Sequence, residues 1–178
     1  MPDLWWPPLA AFLLSVALTY AVRPAAHMVG AVATPKEDRW HRGTIPLLGG
    51  VSIAGAVLVV VPLLPSLSWS AWALVAGAAA LALVGLLDDF RPLRPQVKFL
   101  VQVIVTAVVV AGGVKLTVTG ISPIDQLLTL IWLVGVTNAF NLLDNMDGLA
   151  AGIGLIAAGF RCYFFLLDGN LEGAWLAA

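Results

Sequence analysis

Residues 81–89 read Leu81-Ala-Leu-Val-Gly-Leu-Leu-Asp88-Asp89, an apolar run that closes on two adjacent carboxylates. The run reaches back to Trp69, so Trp69–Leu87 approaches the roughly 20 apolar residues needed to cross a bilayer. A helix C-terminus carries partial negative charge, and the two acids also repel each other. Something positive must therefore compensate: a divalent cation, Lys98, Arg91 or Arg94. Hard oxygen ligands suit Mg²⁺. Successive helical residues point about 100° apart, so Asp88 and Asp89 need not share one metal and can hold different roles. The plainer alternative is a helix-end pair bridged to Arg91 and Arg94.

Outward from this stretch the same pattern repeats. The 178 residues have a mean hydropathy of +0.98, with 61% hydrophobic and 11% charged residues, against about 25% charged in a soluble domain. Most of the surface therefore meets lipid rather than water. Six apolar stretches are candidate spans: Trp5–Ala26, Leu47–Leu64, Trp69–Leu87, Val97–Val114, Ile121–Phe140 and Leu149–Leu167. Backbone polar groups in hydrocarbon must be satisfied within the segment, which makes these runs helices. The period-two alternation of a membrane barrel is missing from them. The expected fold is all-α, a polytopic transmembrane helix bundle forming one domain over 1–178. The first stretch is preceded by an acid, Asp3, and no base, so it reads as a retained helix rather than a signal peptide. The net charge of -1 gives no reason to expect a nucleic-acid partner. Cys162 is the single cysteine, which excludes an intrachain disulfide.

The links between spans set the orientation. Arg23, Lys36, Arg39 and Arg42 fall around the first link, and Arg91, Arg94 and Lys98 around the third. The link Pro65–Ser68 is uncharged, and Gly112–Gly120 holds only Lys115. Basic residues favour the cytoplasmic side. This predicts an N-terminus outside, loops 27–46, 88–98 and 138–148 inside, and Asp168–Ala178 opening a further apolar stretch. The inside loops also hold Asp88, Asp89, Asp144, Asp147, Asn138 and Asn141. Charge-based orientation does not require those acids, and acids at membrane depth usually mark sites.

The stretch Thr137-Asn138-Ala-Phe-Asn141-Leu-Leu-Asp144-Asn145-Met-Asp147-Gly148 places polar groups three residues apart. Over four such positions a straight helix turns the row by about half a turn. The row stays aligned only through a 3₁₀ stretch or a break, and Gly148 permits a break. Oxygen ligands without a cysteine or histidine cluster again favour Mg²⁺ over zinc. Helix capping explains one or two of these residues. The first inside loop, Thr34 to Gly50, contains Lys36, Arg39, His41 and Arg42 ahead of Gly49-Gly50. Its bases suit either orientation and anionic headgroups or phosphate binding.

Together these segments resemble the polyprenyl-phosphate N-acetylhexosamine-1-phosphate transferases of glycosyltransferase family 4. The family includes the phospho-MurNAc-pentapeptide translocase and the initiators of O-antigen and teichoic-acid synthesis. The matching pieces are Arg39-x-His41 with Pro46-x-x-Gly49-Gly50, then Gly85-Leu-Leu-Asp88-Asp89, then Asn138-Ala-Phe-Asn141-Leu-Leu-Asp144-x-x-Asp147-Gly148-Leu149. Asn145 departs from the glycine usual there. The resemblance implies transfer of a sugar-1-phosphate, such as GlcNAc-1-phosphate, from a UDP-sugar to undecaprenyl or decaprenyl phosphate in the cytoplasmic membrane. UMP would be released on the cytoplasmic side, and the product would serve cell-wall or surface-polysaccharide synthesis. It implies Asp88 as the base for the lipid phosphate, Asp89 as its assistant or metal organiser, and Asn141 as a Mg²⁺ ligand. Asp144, Asp147, Asn138 and His41 would meet substrate, with Lys98 near the diphosphate. It further implies contact with membrane lipid, a homodimer as a candidate assembly, and a chain that stops before the C-terminal spans of a bundle of about ten.

Two other classes fit less well. CDP-alcohol phosphatidyltransferases also join Asp-Gly motifs to membrane helices, but they need an arginine soon after Asp-Gly, whereas Gly148 is followed by Leu-Ala-Ala-Gly. Transporter acids tend to lie near mid-membrane, and these lie at the inner boundary. Arg161, deep in the sixth span, has no assigned role.

Overall fold

The computed structural model describes residues 5–28, 30, 32–33, 45–46, 48–144 and 148–177. Among the described residues seven α-helices follow one another: α1 (Trp6–Met28), α2 (Gly49–Val60), α3 (Trp69–Phe90), α4 (Pro95–Ala111), α5 (Ser122–Leu143), α6 (Leu149–Leu167) and α7 (Leu171–Ala177). Between α1 and α2, β1 (Val32–Ala33) and β2 (Ile45–Pro46) pair antiparallel, Val32 opposite Pro46 and Ala33 opposite Ile45. Each of the six expected stretches contains a helix. Four of them, α1, α3, α5 and α6, are long and apolar enough to cross a membrane. α2 stops early because Pro62 cannot donate to the ladder, and the chain tightens into a 3₁₀ turn over Val61–Leu63. α4, at 17 residues, spans about 25 Å at 1.5 Å per residue.

Local chemistry sets the helix ends. Ser68 caps α3, its Oγ accepting from the Ala71 N–H at 3.2 Å. At the other end Arg91 leaves the helix at φ -139°, as a residue preceding proline prefers. Pro95 then opens α4 in the first turn, where no backbone donor is needed. Only four residues, 91–94, join the two helices, so α3 and α4 run antiparallel side by side. Small residues let them approach closely. A Cβ built on Gly77 would overlap Val109 Cγ2, and one on Gly112 would lie 2.6 Å from Ala73 Cβ.

The bundle surface is apolar. α6 buries no residue, and Leu155 and Leu142 are 75% and 71% exposed. A water-soluble protein does not leave apolar faces this wide uncovered; in a bilayer they are solvated by lipid. The protein is a multi-pass membrane protein. At the end of the bundle away from Asp88, α7 folds back beside the start of α3. Trp175 and Leu176 pack on the cluster Val61, Leu64 and Val75. Glu172 Oε1 accepts from the Ser68 N–H at 2.8 Å and from Ser68 Oγ at 2.6 Å.

That far end also contains a buried polar buckle. Asp125, 1% exposed, accepts on one oxygen from Thr119 N and Thr119 Oγ1, both at 2.8 Å, and from Val118 N at 3.2 Å. Thr129 Oγ1 accepts from Leu116 N at 2.9 Å and donates to the Asp125 carbonyl at 2.6 Å. Two residues of α5 thus satisfy the backbone donors of Leu116, Val118 and Thr119 in the 112–121 link.

Candidate active site

Antiparallel connection of α3, α4 and α5 brings the C-terminal turn of α3, the N-terminal turn of α4 and the C-terminal turn of α5 to one end of the bundle. Asp88 is the third residue from the end of α3, Lys98 the fourth of α4, and Asn141 the third from the end of α5. A pocket of about 470 Å³ lies between them. Asp88, Lys98, Asn138 and Asn141 all line it, as do Gln102 and Thr137. Leu81, Val84 and Gly85 of α3, with Pro95 and Phe99 of α4, supply its apolar wall.

Asp88 meets the misplaced charge of a helix C-terminus in two ways. Its Oδ1 accepts from the Leu93 N–H at 2.7 Å, which pins the 91–94 turn. Its Oδ2 forms an ion pair with Lys98 Nζ. Of the three cations adjacent in sequence, Lys98 is the one held against this carboxylate among the described residues. Asp89, one residue on, is exposed and is not among the residues lining the pocket. The two acids therefore face different surroundings, as the 100° turn between helical neighbours requires.

The amides of α5 face the same pocket. Asn138 Nδ2 donates to Gln102 Oε1 and to the Val134 carbonyl, both at 2.8 Å. Thr137 Oγ1 donates to the Leu133 carbonyl at 2.8 Å. α5 ends at Leu143, and Asp144 follows as its C-cap residue, exposed and outside the pocket lining. Gly148 takes φ +73° at the start of α6, a conformation that glycine adopts without a Cβ penalty. Of the two alternatives, a 3₁₀ stretch or the break that this glycine permits, the separate ends of α5 and α6 favour the break. His41 and Asp147 lie outside the described residues.

Gln102 is a polar pocket residue that the motifs did not mark. A signal for it existed: Lys98 and Gln102 are four residues apart, which places both on one helix face.

Among the described residues no three His, Cys, Asp or Glu side chains cluster as a metal cage. The pocket does contain hard oxygen donors in the Asp88 carboxylate and the Asn138 and Asn141 amides. Mg²⁺ is usually held by one or two carboxylates together with substrate phosphates rather than by an all-protein cage. This donor set fits a magnesium–diphosphate better than a bare ion.

Residues 71–178 match the family described as Glycosyl transferase family 4. The chain is 37% identical over 178 residues to the decaprenyl-phosphate N-acetylglucosaminephosphotransferase of Mycobacterium tuberculosis, covering 88% of this chain and 44% of that protein. It is 32% identical over 158 residues to a probable undecaprenyl-phosphate N-acetylglucosaminyl 1-phosphate transferase of Bacillus subtilis, covering 83% and 44%. It is 29% identical over 175 residues to the undecaprenyl-phosphate alpha-N-acetylglucosaminyl 1-phosphate transferase of Yersinia pestis, covering 90% and 47%. The chain thus spans about half the length of these curated relatives. No solved structure matches it.

Proposed function

The chain belongs to glycosyl transferase family 4, and from that premise we propose that the full-length protein transfers an N-acetylhexosamine-1-phosphate from a UDP-sugar to a polyprenyl phosphate. The product, a polyprenyl-diphosphate-sugar, would enter cell-wall or surface-polysaccharide synthesis. One observation carries the reading: Asp88, Lys98, Asn138 and Asn141, from three helices, line a single pocket at one end of a membrane bundle. A soluble nucleotide and a lipid headgroup can meet there. The basic links on that side support a position at the cytoplasmic face of the inner membrane. Relatives named for N-acetylglucosamine make that the first sugar to test.

In this reaction an oxygen of the lipid phosphate attacks the β-phosphorus of the UDP-sugar. A new P–O bond forms, the bond to the bridging oxygen breaks, and UMP leaves with that oxygen. Lys98 is held in reserve by Asp88. When the lipid phosphate arrives, the ammonium exchanges the carboxylate for phosphate oxygens. Asp88 Oδ2 is then free to take a proton from the lipid phosphate, while Oδ1 stays anchored on the Leu93 N–H. Asn141 would hold Mg²⁺, with Asp89 organising the metal, and Asp144, Asp147 and His41 would contact the nucleotide-sugar. The metal, when bound, neutralises charge on the diphosphate.

The test is UMP release by full-length protein in proteoliposomes, with a panel of UDP-sugars and polyprenyl phosphate. Release dependent on both substrates is expected. No UMP with any donor sinks the assignment.

A further inference from the structure

Asn138 and Gln102 meet across the α4–α5 seam, and the geometry fixes which way each amide points. A carbonyl oxygen only accepts hydrogen bonds. The Asn138 atom 2.8 Å from the Val134 carbonyl must therefore be Nδ2. Nδ2 also lies 2.8 Å from the Gln102 amide, so the Gln102 atom facing it must be Oε1. Both hydrogens of Nδ2 are then used. Among the described residues Asn138 keeps one uncommitted polar atom, its Oδ1, and Gln102 keeps its amide hydrogens. Both side chains line the pocket with Asp88 and Lys98.

We propose that Gln102 is a positioning residue for the transfer: it locks the Asn138 carboxamide so that Oδ1, an acceptor, faces the incoming donor substrate. This rests on the function proposed above. Without Gln102 only the Val134 carbonyl still holds Nδ2, and by giving up that one bond the amide can rotate about its terminal torsion to present a donor instead. An acceptor suits the Lys98 ammonium or a hard cation, neither of which can accept from an N–H; a sugar hydroxyl can pair with either group. A purely mechanical role is the competing account, since amide pairs also clasp membrane helices together. That account predicts lower stability and unchanged turnover per folded enzyme.

The experiment uses full-length protein with Gln102→Leu, Gln102→Glu, Asn138→Ala and the Gln102→Leu/Asn138→Ala pair, each checked for membrane insertion. Side-chain amide resonances of ¹⁵N-asparagine-labelled protein report on Asn138 directly, independently of catalysis. We expect the Asn138 signal to move in Gln102→Leu and to stay near its place in Gln102→Glu, which keeps an oxygen for Nδ2. We expect kcat/KM to fall about 10–100-fold in Gln102→Leu, the usual effect of losing an orienting partner, with the double variant no worse than Asn138→Ala. An unmoved signal in Gln102→Leu overturns the proposal. So do losses that multiply in the double variant, or a stability change with kcat/KM intact. If the wild-type protein transfers no sugar phosphate, the proposed function falls, while the amide signal still decides whether Gln102 orients Asn138.

Discussion

Gly77→Ala tests whether the α3–α4 seam sets the geometry of the pocket. The added methyl would overlap Val109 Cγ2 and touch Val105 Cγ1 at 3.7 Å. Carbon atoms rest about 3.5–4.0 Å apart, so one helix must move by roughly an ångström. Val109 is 5% exposed, and a β-branched side chain in a helix has essentially one rotamer, so it cannot swing aside. Overpacking of this kind costs about 1–3 kcal/mol. The consequence reaches the site, because Gly77 and Val109 lie eleven residues, about 16 Å, from Asp88 and Lys98 respectively. A shift of about 1 Å at reacting groups can cost 100-fold in rate. We expect Gly77→Ala in the full-length protein to lower its thermal unfolding temperature in detergent and to reduce kcat/KM by up to that factor. Val109→Ala removes the colliding methyl and should recover much of both losses in the Gly77→Ala background. An unchanged melting curve and rate in Gly77→Ala, or a double variant no better than the single, would refute the reasoning.

Asp88→Asn keeps an acceptor for the Leu93 N–H but loses both the ion pair with Lys98 and the proton acceptor; UMP release should drop at least 100-fold while membrane insertion persists, as fractionation would show. Removing divalent cations with a chelator should stop turnover, and added Mg²⁺ should restore it; activity undiminished by chelation would exclude the metal. Thr129→Val removes the oxygen that accepts from Leu116 N and should destabilise the protein by about 1–3 kcal/mol, whereas Thr129→Ser should cost far less, with kcat/KM unaffected in both at temperatures below unfolding.

The helices were readable because their cause is local. Leu149–Leu167 is apolar but for Arg161 and is a helix over that same range. The need for a cation at Asp88 was also readable, but the sequence left Lys98, Arg91, Arg94 and a divalent ion open, and the fold of the 91–94 turn is what selects Lys98. Gln102 escaped notice because its significance lies in a partner, Asn138, thirty-six positions away on another helix. Asp125 posed the opposite difficulty. An acid near a span end suggests chemistry, yet its carboxylate is absorbed by the N–H groups of Val118 and Thr119. That use depends on the link doubling back through Gly113 and Gly120, at φ +100° and +75°. The shortness of α2 was written in Pro62, but mean hydropathy does not register a missing donor.

The clasp between Glu172 and Ser68 joins positions 104 residues apart. During synthesis the hairpin of α2 and α3 is made long before its carboxylate partner leaves the ribosome. Until then Ser68 can cap α3 but has nothing to tether it sideways. This ring cannot close before α7 is made, so the order in which helices enter the bilayer decides when the far end of the bundle locks.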